Sequence, residues 1–214
     1  MPGSARNSSK TFKHPGKLVI GITGGAGAGK TTFARFLEQY GATVIEADRV
    51  GHEVLGLPEV REQLVQAFGP GILAPDGTVD RKKLGQRTFA DPRALQTLTR
   101  IVKPWIVARI QEAVQQAPTE IVVVDGALIY EYGVEDLFDQ VVVVTAPEDL
   151  RLRRFMAKTG YPEEVARRLL RQQMPEEEKI RRADHVVYNT GSLSRLEQQA
   201  RSLYRTWRTL LQDP

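Results

Sequence analysis

The sequence predicts an α/β fold built on a five-stranded parallel sheet. Five short apolar runs alternate with helical patterns, and this alternation is typical of parallel strands that are joined by helices. The runs are apolar at successive positions, as expected for strands covered on both faces. They lie at residues 17–22, 42–45, 121–124, 141–145 and 185–188.

Two long helical segments interrupt the alternation. Residues 49–118 contain helical patterns separated by glycine and proline, and we predict a helical insertion there, at the strand ends where open parallel sheets bind ligands. Within it, Pro104 predicts a break or kink at residues 102–103. The charged stretch at about 148–182 predicts a helical lid.

The composition excludes several classes of protein. The 214 residues include no cysteine, which rules out disulfides, thiolate metal sites and a cysteine nucleophile. This absence fits a reducing cytoplasm, where we expect the protein to act. No apolar run approaches the ~18 residues that a membrane span needs, so we expect no membrane partner.

Basic residues outnumber acidic ones by 30 to 26, and the excess is concentrated in two places. Residues 1–17 hold four basic residues and no acid, which suits either nucleic acid or a plain solvated tail; we favour the solvated tail. Residues 148–182 hold ten basic and seven acidic residues, which suits a polyanionic ligand such as a nucleotide. We therefore predict one folded domain at 17–214 after a disordered tail at 1–16.

The strongest motif follows the first predicted strand. Gly24, Gly29, Lys30 and Thr31 fit the pattern G-x-x-x-x-G-K-[ST], and a helical pattern comes next. Glycines let backbone N–H groups curl around phosphate oxygens, and the start of the helix adds partial positive charge. Lys30 can bridge the β- and γ-phosphates, and the Thr31 hydroxyl can coordinate Mg²⁺. The motif predicts a three-layer fold of the P-loop NTPase type that binds a nucleoside triphosphate.

Acidic residues follow two of the predicted strands. Asp125 comes directly after the third strand, where a P-loop protein holds its Mg²⁺ shell, or else it caps the following turn. Glu46 and Asp48 follow the second strand, where a carboxylate can accept a proton from an attacking hydroxyl. Asp48 is equally well placed to cap the next helix. Glu131 is either a further acid of the site or a surface residue.

A basic run occupies the predicted lid. Arg151, Arg154 and Lys158 fall on one face of a helix. Guanidinium groups that point at a transferring phosphoryl group stabilise its charge. The alternative is a solvated face that pairs with acids of the same segment, namely Glu163, Glu164, Glu176, Glu177 and Glu178.

The chain resembles the dephospho-CoA kinase family from about residue 17 to residue 210. The matching strings are IGITGGAGAGKTT, VIEADRVGHEV, AFGPGILAPDGTVDRKKLGQRTFADP, VVVDGALIYE and QMPEEEKIRRADHVVYNTGSL. The D-R-x-x-L…F-x-D-P stretch and the A-D-x-V-x-x-N-x-G ending are more specific than the phosphate loop, which many families share. The family transfers the γ-phosphoryl group of ATP to the 3′-hydroxyl of dephospho-CoA. The resemblance therefore implies a kinase of coenzyme A biosynthesis that uses ATP and Mg²⁺.

The resemblance also implies roles for matching positions. The implied catalytic residues are Lys30, Asp48 and Arg154. The implied ATP-binding residues are Gly25, Ala26, Gly27, Ala28, Gly29, Lys30, Thr31, Thr32, Arg151, Asn189 and Gly191. The implied acceptor-binding residues are Asp48, His52, Arg81, Lys103 and Leu128, and the implied metal ligands are Thr31 and Asp125.

The chain departs from the family pattern mainly on the acceptor side. Glu46 stands where the family usually has Asp, Thr99 and Lys103 stand where it has Glu and His, and Ala127 stands where it has Pro. Two alternatives therefore stay open: a diverged kinase that acts on another nucleoside-like acceptor, and a non-catalytic nucleotide-binding regulator with a nucleic-acid-binding tail. We favour dephospho-CoA as the small-molecule substrate, no nucleic-acid partner, and a monomer, with a small homo-oligomer as the alternative.

Overall fold

The computed structural model describes residues 14–89 and 91–212, and for Phe89 only the backbone. Residues 1–13 of the predicted tail lie outside the described residues. Within the part of the chain that is described, no helix has the length and apolar character needed to cross a membrane.

The strands form one parallel sheet in the described chain. They are β1 (Leu18–Thr23), β2 (Thr43–Glu46), β3 (Ile121–Asp125), β4 (Gln140–Thr145) and β5 (His185–Tyr188). The strand order is β2-β3-β1-β4-β5, with every neighbouring pair parallel. The predicted α/β fold is confirmed, and each strand lies within one residue of its expected position.

Helices connect the strands and follow the last one. They are α1 (Lys30–Gln39), α2 (Ala47–Leu55), α3 (Pro58–Phe68), α4 (Arg81–Phe89), α5 (Pro92–Gln116), α6 (Glu148–Thr159), α7 (Glu163–Arg171), α8 (Glu176–Arg182) and α9 (Leu193–Gln212). Short 3-10 turns lie at Pro70–Ile72 and Glu135–Leu137.

The described chain divides into two compact units. One comprises the described residues up to Glu46 and from Ala113 onward, and it contains the sheet. The other, Ala47–Glu112, contains α2, α3, α4 and most of α5, and it overlaps the predicted insertion at 49–118. The division into one domain with an insertion and a lid stays a prediction.

Helix α5 continues through Pro104, so the break predicted at residues 102–103 is wrong, and the alternative of a kink there stays a prediction. Proline removes one N–H donor and disfavours the helical conformation of the residue before it. Val102 and Ile110 on the same helix are buried. Packing of these side chains outweighs the local preference, as tertiary contacts often do.

The core on one face of the sheet lies under α1 and α9. Phe33 and Leu37 of α1 and Trp207 of α9 are fully buried against Ile20 and Ile22 of β1. The Trp207 Nε1 atom also donates a hydrogen bond to Gln140 Oε1 at 2.8 Å. This packing fixes the direction in which α1 leaves the loop after β1.

We predict that Trp207→Ala lowers the free energy of unfolding by about 3–5 kcal/mol, because it leaves a large cavity and removes one of the two hydrogen bonds to Gln140 Oε1. The matched control is Leu210→Ala on the same helix, where the side chain is half-exposed and the expected change is within about 0.5 kcal/mol. Urea denaturation followed by circular dichroism measures both values. Equal losses in the two variants would contradict the assignment of Trp207 to the core.

Candidate active site

A tight loop of residues 24–29 joins β1 to α1. Gly24 and Gly29 lie at its two ends with φ of +140° and +99°, where a side chain introduces strain. A Cβ atom on Gly24 would overlap the carbonyl oxygen of Val144 on β4, and one on Gly29 would overlap the side-chain amide of Asn189. The chain can pass this close to its neighbours only because both positions are glycine.

Lys30 is the first residue of α1, and its side chain folds back along this phosphate loop. The Nζ atom donates hydrogen bonds to the carbonyls of Gly24 and Gly25 at 3.0 and 3.2 Å. Its charge adds to the partial positive charge of the N–H groups at the start of α1. Residues 25–32, predicted to bind ATP, all lie in the loop and the first turn of α1, where the geometry suits phosphate groups.

Thr31 and Asp125 meet beside the phosphate loop. The Thr31 hydroxyl donates a hydrogen bond to Asp125 Oδ2 at 3.0 Å. Asp125 is the buried last residue of β3 and lies in register with Ile22 of β1. This contact joins the two residues that the resemblance implies as metal ligands, and both offer oxygen, the ligand type that Mg²⁺ prefers.

Arg151 and Arg154 of the predicted lid belong to the unit that contains the sheet and the phosphate loop. Arg151 donates to the Ala146 carbonyl at 3.1 Å and to Glu176 Oε2 at 3.2 Å. A Cβ atom on Gly25 would overlap the Arg151 guanidinium, so this group lies directly against the loop. Arg154 lies on the same helix, whereas Lys158 is exposed.

Asn189 follows β5 and packs against the second half of the loop. Its Nδ2 atom donates to the Ala28 carbonyl at 2.9 Å, and its own carbonyl accepts a hydrogen bond from Arg154 Nη1 at 3.3 Å. Gly191 lies two residues further on and is exposed. The structure therefore brings Asn189, the lid arginine and the loop together; contact of Asn189 and Gly191 with ATP stays a prediction.

The unit Ala47–Glu112 holds four of the five predicted acceptor-binding residues. Asp48 lies exposed in the first turn of α2, and its carboxylate makes no capping hydrogen bond with any described residue. His52 of α2 and Arg81 of α4 are brought together, with His52 Nε2 as acceptor because a guanidinium only donates. Lys103 lies half-buried in the middle of α5.

The fifth predicted acceptor residue, Leu128, lies half-buried in the loop that follows β3, in the unit that contains the sheet. Its neighbour Ala127 contributes a backbone carbonyl, which accepts a hydrogen bond from Thr23 Oγ1 at 3.1 Å. Any residue with a carbonyl can supply this contact. The Ala127 departure therefore leaves the hydrogen bond intact.

Two other departures from the family pattern, Glu46 and Thr99, lie at the end of β2 and in α5. Glu46 ends β2, is exposed, and lies in register with Asp125. Thr99 donates its hydroxyl to the Leu95 carbonyl one turn earlier in α5. Thr99 therefore satisfies its hydroxyl within its own helix.

Two contacts around the loop could not be predicted from the sequence. Gln173 Oε1 accepts a hydrogen bond from the Ala26 N–H at 2.9 Å. Glu131, left open as a site acid or a surface residue, pairs with Lys179 at 2.7 Å, and the Lys179 side chain is fully buried. Nothing in the charged run EEEKIRR indicates that Lys179 is buried. The one signal for this segment was its resemblance to the family in the string QMPEEEKIRRAD, which contains Gln173 and Lys179.

These features define a P-loop nucleotide-binding protein: a glycine loop, a lysine that lies along it, and a threonine–aspartate pair at the carboxyl edge of a parallel sheet. The family model for dephospho-CoA kinase matches residues 18–195. The chain therefore belongs to the dephospho-CoA kinase family.

Individual relatives agree with this assignment. A dephospho-CoA kinase from Streptomyces avermitilis is 41% identical over 185 residues, which are 85% of this chain and 90% of that protein. A crystal structure from Thermus thermophilus has a TM-score of 0.78 and 33% identity, and the match covers 91% of this chain and 98% of the other. The dephospho-CoA kinase structure from Campylobacter jejuni has a TM-score of 0.63 and 26% identity, over 87% and 95% of the two chains.

We predict that Gly29→Ala weakens ADP binding about tenfold or more, because the added Cβ is strained at positive φ and displaces the Asn189 side chain from the loop. The matched control is Gly77→Ala, which also has positive φ but has no heavy atom within 4 Å of the added Cβ. Isothermal titration calorimetry measures ADP affinity in both variants. Wild-type affinity in a folded Gly29→Ala protein would contradict the proposed tight packing of the loop.

Proposed function

We propose that this protein transfers the γ-phosphoryl group of ATP to the 3′-hydroxyl of dephospho-CoA, giving coenzyme A and ADP. The observation that carries the proposal is the phosphate loop, with Lys30 along it and the Thr31–Asp125 pair beside it, in a chain of the dephospho-CoA kinase family. The loop accounts for binding of the triphosphate. Family membership supports the choice of acceptor.

Transfer in such a site depends mainly on position and charge. The loop N–H groups and Lys30 hold the β- and γ-phosphates, and Arg151 and Arg154 stabilise charge on the transferring group. The ribose 3′-oxygen bonds to the γ-phosphorus while the bond from that phosphorus to the β–γ bridging oxygen breaks. ADP then leaves, and the hydroxyl proton passes to Asp48, which acts as general base.

We also propose Mg²⁺ as the cofactor. Among the residues that the structure describes, no group of three or more acidic or histidine side chains could hold a metal ion. Mg²⁺ usually binds proteins through only one or two side chains and takes its other ligands from substrate phosphates and water. The Thr31 and Asp125 oxygens fit that requirement, and the ion would neutralise charge on the β- and γ-phosphates.

We predict that Thr31→Val lowers kcat by about 10–100-fold and raises the Mg²⁺ concentration needed for half-maximal rate, because valine keeps the size but lacks the hydroxyl. Thr31→Ser retains the hydroxyl and is the matched control, with a rate near wild type. ADP formation measured over a Mg²⁺ titration distinguishes the two. A valine variant with unchanged Mg²⁺ dependence would rule out Thr31 as a ligand.

The acceptor side of the proposal depends on Asp48. It lies two residues beyond the end of β2, exposed and without a capping hydrogen bond to the described residues. This arrangement favours contact with a ligand over the capping alternative. In the same unit, the His52–Arg81 pair and Lys103 provide groups that suit the phosphates of dephospho-CoA.

We predict that Asp48→Asn lowers kcat by about 10²–10⁴-fold, because the amide cannot accept the hydroxyl proton. ADP affinity should stay within about twofold of wild type, since the loop residues are unchanged. The control is Glu53→Gln, an exposed carboxylate of the same helix that pairs with Arg49. If transfer survives in Asp48→Asn, the residue is not the base.

An acceptor-dependent ADP-release assay tests the proposed function. It compares dephospho-CoA with a panel of nucleosides and nucleotides, and mass spectrometry of the product identifies the added phosphate. Turnover with another nucleoside-like acceptor alone would favour a diverged kinase. ATP binding without turnover on any acceptor would favour a non-catalytic regulator.

The location and assembly of the protein are further proposals. We propose that it acts in the cytoplasm on a small-molecule substrate. We propose a monomer, and light scattering of the purified chain distinguishes it from a small homo-oligomer.

A further inference from the structure

The link between α7 and α8 contacts the phosphate loop through one side chain. Gln173 lies in this link and is half-buried. Its Oε1 atom accepts the hydrogen bond from the Ala26 N–H, in the first half of the loop, at 2.9 Å. A side chain more than a hundred residues away along the chain therefore fixes the orientation of one loop peptide.

A buried ion pair holds the same link. Lys179 of α8 is fully buried, and its Nζ atom lies 2.7 Å from Glu131 Oε1. The same Glu131 oxygen accepts a hydrogen bond from the backbone N–H of Met174 at 3.1 Å. Because Met174 is the residue after Gln173, the carboxylate fixes the backbone from which Gln173 reaches the loop.

The ion pair is also tied to the base of the phosphate loop. Lys179 Nζ contacts the Ala127 carbonyl at 3.4 Å, and the same carbonyl accepts the Thr23 hydroxyl at 3.1 Å. Thr23 is the last residue of β1, directly before the loop. The pair therefore joins the link to the strand end from which the loop starts.

The start of α8 adds a second contact with the first half of the loop. Glu176 accepts a hydrogen bond from Arg151, and the two side chains are only 11% and 12% exposed. The Arg151 guanidinium in turn lies against Gly25. Placement of the link thus determines the surroundings of Gly25 and Ala26, in the first half of the loop.

We propose that Glu131 and Lys179 are positioning residues for phosphoryl transfer, acting through Gln173. This proposal rests on the proposed function. The pair holds the α7–α8 link so that Gln173 fixes the first half of the phosphate loop, the half that this proposal assigns to the terminal phosphate. The N–H groups of the second half of the loop and of the start of α1 hold the β-phosphate in this proposal, and their placement does not depend on Gln173.

The first test is Gln173→Ala. We expect kcat for ADP formation with dephospho-CoA to fall about tenfold, the scale of one lost hydrogen bond, while the Kd for ADP stays within about twofold. The matched control is Gln172→Ala, the exposed neighbour in the same sequence, with a wild-type kcat expected. An unchanged kcat in Gln173→Ala, or an equal loss of ADP affinity, would overturn the proposal.

A double-mutant cycle then tests whether the ion pair acts through Gln173. We expect Lys179→Met to lower kcat at least as much as Gln173→Ala, and the Gln173→Ala/Lys179→Met protein to be no slower than Lys179→Met alone. If the pair only stabilises the fold, Lys179→Met lowers the unfolding temperature. Gln173→Ala then lowers kcat by the same factor in the Lys179→Met background as in the wild-type protein. If Lys179→Met does not fold, Glu131→Met, which is similar in size and has no oxygen to accept the Met174 N–H, takes its place in the cycle.

Failure of the proposed function gives a different result from failure of this inference. A wild-type protein that forms no ADP with dephospho-CoA contradicts the proposed function alone. The same cycle is then measured on acceptor-independent ATP hydrolysis, which uses the same loop. If the two substitutions lower the rate of ATP hydrolysis additively, the proposed role of the pair is overturned. A double variant that hydrolyses ATP no more slowly than Lys179→Met would support it.

Discussion

Close packing of the phosphate loop against its surroundings is the constraint on which this structure depends. Gly24 lies against the Val144 carbonyl on β4, and Gly29 lies against Asn189, which follows β5. These approaches require β4 beside β1 and β5 beside β4, as the strand order provides. On the other side, β3 beside β1 brings Asp125 to Thr31. The strand order and the nucleotide site therefore depend on each other.

The features that the sequence predicted correctly depend on neighbouring residues. Strand β4, for example, contains the continuous apolar run Val141–Val144. The glycines and Lys30 of the phosphate loop stand at fixed spacing between a strand and a helix. Pro104 is a local signal, and the break that it predicted in α5 is absent. Its effect on α5 was outweighed by the packing of Val102, which the sequence does not reveal.

The features that the sequence did not predict depend on distant contacts. Glu131 and Lys179 are 48 residues apart, and their pairing requires α8 to pack beside the loop after β3. Lys179 stands among charged residues that look like a solvated helix face, so composition pointed away from burial. Gln173 has no distinctive chemistry of its own, and it becomes part of the site only when the α7–α8 link lies against Ala26.

The buried pair is better explained by positioning than by stability. Removing an ammonium and a carboxylate from water is costly, and well-packed apolar residues often replace such pairs with no loss of stability. Glu131 Oε2 is buried without a hydrogen-bond partner in the described chain, which adds to the cost. An apolar pair of the same size would fill the space, but it could not accept the Met174 N–H or donate to the Ala127 carbonyl. Those two hydrogen bonds fix the α7–α8 link relative to the phosphate loop, and an apolar pair would lose both.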